Sequence, residues 1–306
     1  MGENQVSRTA LWNAYLRAYH AIHDTPKIFD DFLAYHLLAE EKRASFDKQM
    51  VTDLKCFNPA LAASFPDIAA AKAYIIKSSA AASITLSRAR YTEDSLEEAV
   101  RQGVKQYVIL GAGMDTFAFR RPEMLEQIQV FEVDHPATQA FKRRRLTELG
   151  WECPAQLHFV PVDFTQDCLI EALTRSAYDQ QAPSFFSWLG VTYYLPREAV
   201  FATLQAIADI ASSGSTVIFD YMDTNAFVPE KAAPRVQILL WAVKREGETM
   251  KAGFDSSTLA ADFARLGLRL LEDLNPADIQ ERFFQGRTDG YHACEHVHFS
   301  WAVVDD

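Results

Sequence analysis

The chain has 306 residues, 49% of them hydrophobic, with 41 acidic against 30 basic side chains and a formal net charge of −11. That is enough apolar chain for one large domain, or one domain with a smaller attached layer, while the negative field repels phosphate backbones and argues against a nucleic-acid partner. No apolar run approaches the ~20 residues that cross a bilayer, no basic start precedes an apolar block, and the four cysteines form no CxxC pair, so a cytoplasmic chain with no membrane partner is expected.

Residues 1–90 read as helices. "RTALWNAYLRAYHAI" and "IFDDFLAYHLLAEEKRASF" carry apolar residues at three- and four-residue spacing, and "PDIAAAKAYIIKSSAAASITL" is rich in alanine. From Thr92 a fresh helix is expected, because "TEDSLEEAVRQG" opens with capping residues, sets Leu96 and Val100 on one face and stops at Gly103. Strands are then predicted at 106–110, 128–134, 157–162, 183–190 and 215–221, as continuous apolar runs that fit a parallel sheet covered on both faces. Between the last two, Pro196 suits the first turn of a helix whose stripe is Val200, Leu204, Ile207 and Ala211, with Gly214 ending it. Residues 222–255 are proline-broken and read as an insert. A helix near 256–266 and strands in "LRLLED" and "HVHFSWAVV" close the chain. The predicted fold is α/β: a doubly wound, mostly parallel, seven-stranded, Rossmann-like sheet over 91–306, with an N-terminal helical cap over 1–90 and a helical insert over 222–255.

"QYVILGAGMDTFAFRR" carries the first chemical signal. Gly111 and Gly113 fall where the first strand turns into a loop, so a ligand can approach bare backbone. A dinucleotide fingerprint needs a third glycine at position 116, and Thr116 stands there behind Asp115. A phosphate is repelled by that carboxylate, whereas S-adenosylmethionine carries a sulfonium and an ammonium and no phosphate. "FEVDHP" places Asp134 at the end of the second strand, about twenty residues on, where an acid accepts from ribose hydroxyls. Glu132 shares its strand face. In "PVDF", Asp163 could accept from an adenine amino group while Phe164 packs on the ring. Taken alone, Asp163 also reads as a helix cap.

Together "LGAGMDT", "FEVDHP", "VDF" and "WLGVTYYLP", with "RARYTED" upstream, resemble the class I S-adenosylmethionine-dependent methyltransferases, and within them the leucine carboxyl methyltransferase-like family with its bacterial small-molecule relatives. The resemblance covers roughly residues 85–220. It implies S-adenosylmethionine as cofactor, with Gly111, Asp134, Asp163 and Phe164 as contacts and an arginine, Arg88 or its rival Arg90, gripping the cofactor carboxylate. One departure is plain: the family has a glutamate after the fourth strand and this chain has Leu189, which leaves Asp115, Gly113 and backbone near Leu189 to hold the methionine end. Tyr194 matches a tyrosine of the family pattern.

Methyl transfer from a sulfonium needs alignment and dry surroundings more than a metal or a covalent intermediate. His135, Tyr193 and Tyr194 are the candidate catalytic side chains, and each has a structural reading as well. "YHACEHVHF" reads as a final strand rather than a zinc site, and "KRRR" at 142–145 as a solvated face. The expected activity is O-methyl transfer to a carboxylate or hydroxyl of a small organic acceptor. A protein C-terminal carboxyl methyltransferase, an NAD(P)-dependent oxidoreductase and a non-catalytic binding protein are the rivals. The acceptor's identity and the oligomeric state are left open, a monomer being compatible.

Overall fold

The computed structural model describes residues 6–305. The five apolar runs become strands β1 (Gln106–Leu110), β2 (Gln129–Asp134), β3 (Leu157–Pro161), β4 (Ser184–Trp188) and β5 (Thr216–Met222), and β6 (Leu268–Leu274) and β7 (Val297–Val304) complete one sheet in the order β3-β2-β1-β4-β5-β7-β6. All pairings are parallel except those of β7, which runs antiparallel to both β5 and β6. Successive side chains leave a strand on opposite faces, so the unbroken apolar runs feed two cores. Tyr107, Ile109, Phe185 and Ile218 join the core under the N-terminal helices. Val108, Leu110, Phe186, Trp188 and Phe219 join the core under the helices Arg197–Ile210 and Ser256–Ala264.

The order places β1 and β4 side by side with their connections leaving to opposite sides, the topological switch point where α/β sheets open a crevice at their carboxyl edge. The N-terminal helices cover this edge. Residues 222–255 leave the sheet after β5 and return at a bridge pairing Asp223 with Phe254, so both ends of the segment are pinched together. Its helix Pro234–Arg245 meets the helix Glu40–Phe57, where Arg245 holds Asp53 through two bonds of 2.8 Å and Phe57 sets its ring edge-on to Trp241.

Two expectations are corrected. No helix starts at Thr92: one helix runs from Ala80 to Arg101, with Ser79 and Gln102 at its ends, and Thr92 is buried in its middle. Capping residues cap only where the preceding backbone is non-helical, and here Arg88, Tyr91, Thr92, Ser95, Leu96 and Ala99 carry one buried face through the apparent break. The helix therefore also runs through position 90. Second, "KRRR" is not uniformly solvated. Lys142 is 1% exposed and its Nζ lies 2.5 Å from Glu132, itself 1% exposed, behind β2. In the segment read as a final strand rather than a zinc site, β7 begins at Val297; His296 bonds Asp223 and the amide of Ala233, and His298 bonds Asp273.

Burial pushes the Glu132 carboxyl up to about 7 against the pull of Lys142, and its Oε1 has no hydrogen-bond partner among the described residues. Removing one member of such a pair strands the other charge, at a cost of about 3–5 kcal/mol, whereas removing both is far cheaper. Lys142→Met is accordingly expected to lower stability by that amount in urea unfolding, and adding Glu132→Leu to recover most of it. A double variant no more stable than Lys142→Met would show the charges themselves to be required.

Candidate active site

A cavity of about 420 Å³ opens at the carboxyl ends of β1 to β4. Its roof is the start of the helix Arg8–His23, and Gly247–Lys251 from the insert closes one side. Glu248 joins roof to side: its carboxylate accepts from the amides of Arg8 and Thr9 and from the hydroxyls of Ser7 and Thr9. A carboxylate on the exposed amides of a helix N-terminus complements the helix dipole.

The glycine turn after β1 is held to β2 by the amides of Gly111 and Ala112, which both donate to the Val133 carbonyl. Both Gly111 (φ +73°) and Gly113 (φ +53°) adopt left-handed backbone. A side chain at Gly111 would overlap Cγ2 of Val191, and one at Gly113 would stand 3.1 Å from Cβ of Ala10. The neighbours that demand glycine are thus protein groups as well as any ligand. Asp115 follows, accepting from the Phe117 amide at 2.7 Å. The helix that follows Thr116, Phe117–Arg120, has four residues, too short to offer the helix N-terminus that receives a pyrophosphate in dinucleotide-binding folds.

Asp134 ends β2 with its carboxylate fixed by two backbone donors, the amides of Gly113 and His135. Burial raises its pKa and those two bonds oppose the rise. Asp163 follows β3 and accepts from the amide and hydroxyl of Thr165 and from Gln166. Burial would push it up, but these bonds outweigh it and hold it below the usual range. Phe164 lies beside Asp163 on the wall, its ring 6.0 Å from that of Trp188. His135 Nδ1 accepts from the Ala137 amide, and its Nε2 stands 3.8 Å from Asp163.

Across the cavity Arg88 donates from Nη1 to Asp220 at 2.7 Å. Asp220, fully buried at the end of β5, also accepts from the amide of Gly190 at 2.7 Å and from the hydroxyl of Tyr193. Gly190 is required at this point: with φ +71°, a side chain there would sit 2.5 Å from Nη2 of Arg88. Burial disfavours the charge on Arg88, but Asp220 outweighs it and keeps the guanidinium protonated. Arg90 is placed differently. It is exposed, bonds Asp94 on its own helix and is not on the cavity wall. Tyr193 is buried against Asp220 off the wall, whereas Tyr194 and Leu189 line it. Burial, then the nearby Glu248, drives the Tyr194 phenol well above its ordinary value.

The family model described as leucine carboxyl methyltransferase matches residues 10–208. The Bacillus subtilis protein named "Putative S-adenosyl-L-methionine-dependent methyltransferase YktD" is 37% identical over 303 residues, 99% of each chain. The chain belongs to the leucine carboxyl methyltransferase family. It is an S-adenosylmethionine-dependent methyltransferase of class I, which sets aside hydride transfer and a purely non-catalytic role. A crystal structure of a DUF574 family protein from Streptomyces avermitilis shares the fold, with a TM-score of 0.57 and 12% identity over 95% of this chain and 96% of that one.

The wall of this methyltransferase fits its cofactor. Asp115, Asp134 and Asp163 all line the cavity, and none has a lysine or arginine salt-bridge partner among the described residues, as suits a ligand bearing a sulfonium and an ammonium. Arg88, across the same cavity, could take its carboxylate. At position 189, where the resemblance implies a glutamate, stands leucine, and the buried carboxylate of Asp220 binds the amide of the next residue. Asp220 and Gly190 were missed in the sequence. The available signal was an acid inside the apolar run "STVIFDY", since a buried charge is retained only with partners. Asp220→Ala strands the Arg88 charge and is expected to cost about 3–5 kcal/mol in urea unfolding, with Asp220→Asn, which keeps acceptors for Gly190 and Tyr193, costing less. Equal stability of wild type and Asp220→Ala would show that Arg88 finds another partner.

Proposed function

We propose that this methyltransferase transfers its methyl group to an oxygen, first of all a carboxylate oxygen, of a small organic acceptor lodged beneath the helical cap. The observation that carries this reading is that each catalytic candidate named from the sequence, and Glu248 beside them, is already committed. His135 Nδ1 must be unprotonated to accept from Ala137, so a neutral ring carries its proton on Nε2. Tyr193 donates its hydroxyl hydrogen bond to Asp220 off the wall, Tyr194 stays a neutral phenol, and Glu248 is spent on the helix start. A carboxylate acceptor needs no base, because its pKa of ~4–5 leaves it ionised at neutral pH. A hydroxyl acceptor is the second reading, with Asp115 as the acid nearest to free.

In this reading Asp134 accepts from the ribose hydroxyls, Asp163 from the adenine amino group, and Phe164 packs against the base. Arg88 binds the carboxylate of the methionine end, and Asp115, Gly111, Gly113 and the backbone near Leu189 surround the rest. Bound S-adenosylmethionine supplies a methyl group on positive sulfur, whose departure leaves a neutral thioether. The protein's share is to align the acceptor and exclude water, which the Glu248 clasp between cap and insert supports. The same clasp favours a small acceptor over a protein tail, which must thread beneath it.

Two measurements test this. Asp134→Asn should weaken S-adenosylhomocysteine binding by at least about tenfold in calorimetry, through loss of hydrogen bonds to a charged acceptor, and unchanged affinity would refute the ribose role. With a panel of carboxylic acids and phenols and radiolabelled cofactor, transfer to carboxylates is expected, with kcat/KM level from about pH 6 to 9 and lost only as the acceptor protonates near ~4–5. A profile that falls through pH 7–8 on acidification would reveal a protein base and favour the hydroxyl reading.

A further inference from the structure

One buried hydroxyl on the cavity wall lacks a partner. The helix Ala80–Arg101 carries six hydroxyl side chains, and five of them are satisfied. Ser83, Ser87 and Ser95 donate to the carbonyl four residues earlier, Thr85 to Asn13, and Tyr91 to Glu272. Thr92 differs. It is 1% exposed and lines the cavity, yet its Oγ1 has no hydrogen-bond partner among the described residues. The usual escape for a helical threonine, a bond back to the carbonyl four residues before, is taken by three of its neighbours and not by Thr92.

A buried hydroxyl without a partner is destabilising, and nearly all such groups in folded proteins are satisfied. Three polar side chains that line the cavity with Thr92 are already engaged: Glu93 is bonded to Arg120, and the hydroxyls of Tyr107 and Ser187 pair with each other at 2.9 Å. A ligand in the cavity can supply the missing partner. Arg88 stands four residues before Thr92, one helical turn away on the same face, and it too lines the cavity with one of its donors spent on Asp220.

We propose that the Thr92 hydroxyl is a second ligand, beside Arg88, for the carboxylate at the amino-acid end of S-adenosylmethionine. This rests on the placement of that end at Arg88 given above. Arginine supplies charge and a planar pair of donors, and the hydroxyl a single neutral donor. A carboxylate offers about four lone-pair sites, enough for both. The pairing deepens specificity for a cofactor with its amino acid intact, because a ligand without that end leaves both donors unsatisfied.

The test is calorimetric titration of wild type, Thr92→Val, Thr92→Ser and Arg88→Met with S-adenosylhomocysteine and with 5′-methylthioadenosine, which keeps the nucleoside and thioether but lacks the amino acid. Thr92→Val is expected to weaken S-adenosylhomocysteine at least about tenfold, leave methylthioadenosine unchanged, and melt no lower than wild type, since valine fills the same space without a stranded polar atom. Thr92→Ser should bind S-adenosylhomocysteine like wild type. Unchanged S-adenosylhomocysteine affinity in Thr92→Val, with Arg88→Met weakened, overturns the proposal alone and leaves an ordered water as the partner. Equal weakening of both ligands also overturns it, as a general distortion of the pocket. If Arg88→Met binds S-adenosylhomocysteine normally, the placement of the amino-acid end fails and the proposal with it.

Discussion

A guanidinium kept charged inside a crevice needs a buried counter-charge, and Asp220 provides it. From the end of β5 this one carboxylate holds Arg88 on the long helix, the amide of Gly190 after β4 and the hydroxyl of Tyr193. Three elements meet on it, and a side chain on the left-handed Gly190 would overlap the Arg88 guanidinium. Leave the pair out and the crevice would lose the buried cation beside Gly190. With it, a cationic group and an anionic group have complementary places on opposite sides.

The rest of the cavity follows the same economy, in which each polar group is oriented by another before any ligand arrives. Asp134 is pinned by two amides, Asp163 by Thr165 and Gln166, and Glu248 by the first turn of the roof helix. Groups held this way lose little freedom on binding, and a dry, pre-arranged site strengthens electrostatic contacts. Placing the acids near the nucleoside and leaving the proposed acceptor side with committed groups suits a reaction whose nucleophile arrives already ionised. The cap and insert, tied by Arg245 to Asp53 as well as by Glu248, supply the exclusion of water that such a transfer needs.

The fold was largely legible because its signals are local. Runs such as "QYVIL" and "SFFSW" set apolar residues at consecutive positions rather than alternating them, as suits a strand covered on both faces, and β1 begins and ends where that run places it. The acids Asp134 and Asp163 were legible for a similar reason: a strand end followed by a turn puts its last polar residue on the sheet's carboxyl edge. What misled was local as well. "TED" carries the composition of a helix start, yet the helix was already under way, and Lys142 looks like its basic neighbours although its partner Glu132 lies ten residues back on a strand.

The sequence by itself determined the order of strands and helices, the glycine turn, and the family to which its motifs point, because these depend on periodicity and on backbone shapes that few residues adopt. Only the tertiary structure decided which arginine faces the cavity, since Arg88 and Arg90 differ by two positions on a helix and thus by a half-turn in direction. It likewise decided that Asp220 is the counter-charge and that the Thr92 hydroxyl has no partner among the described residues. Those facts concern distances between residues more than a hundred positions apart, or the lack of a neighbour, and no stretch of chain encodes them until the sheet has closed.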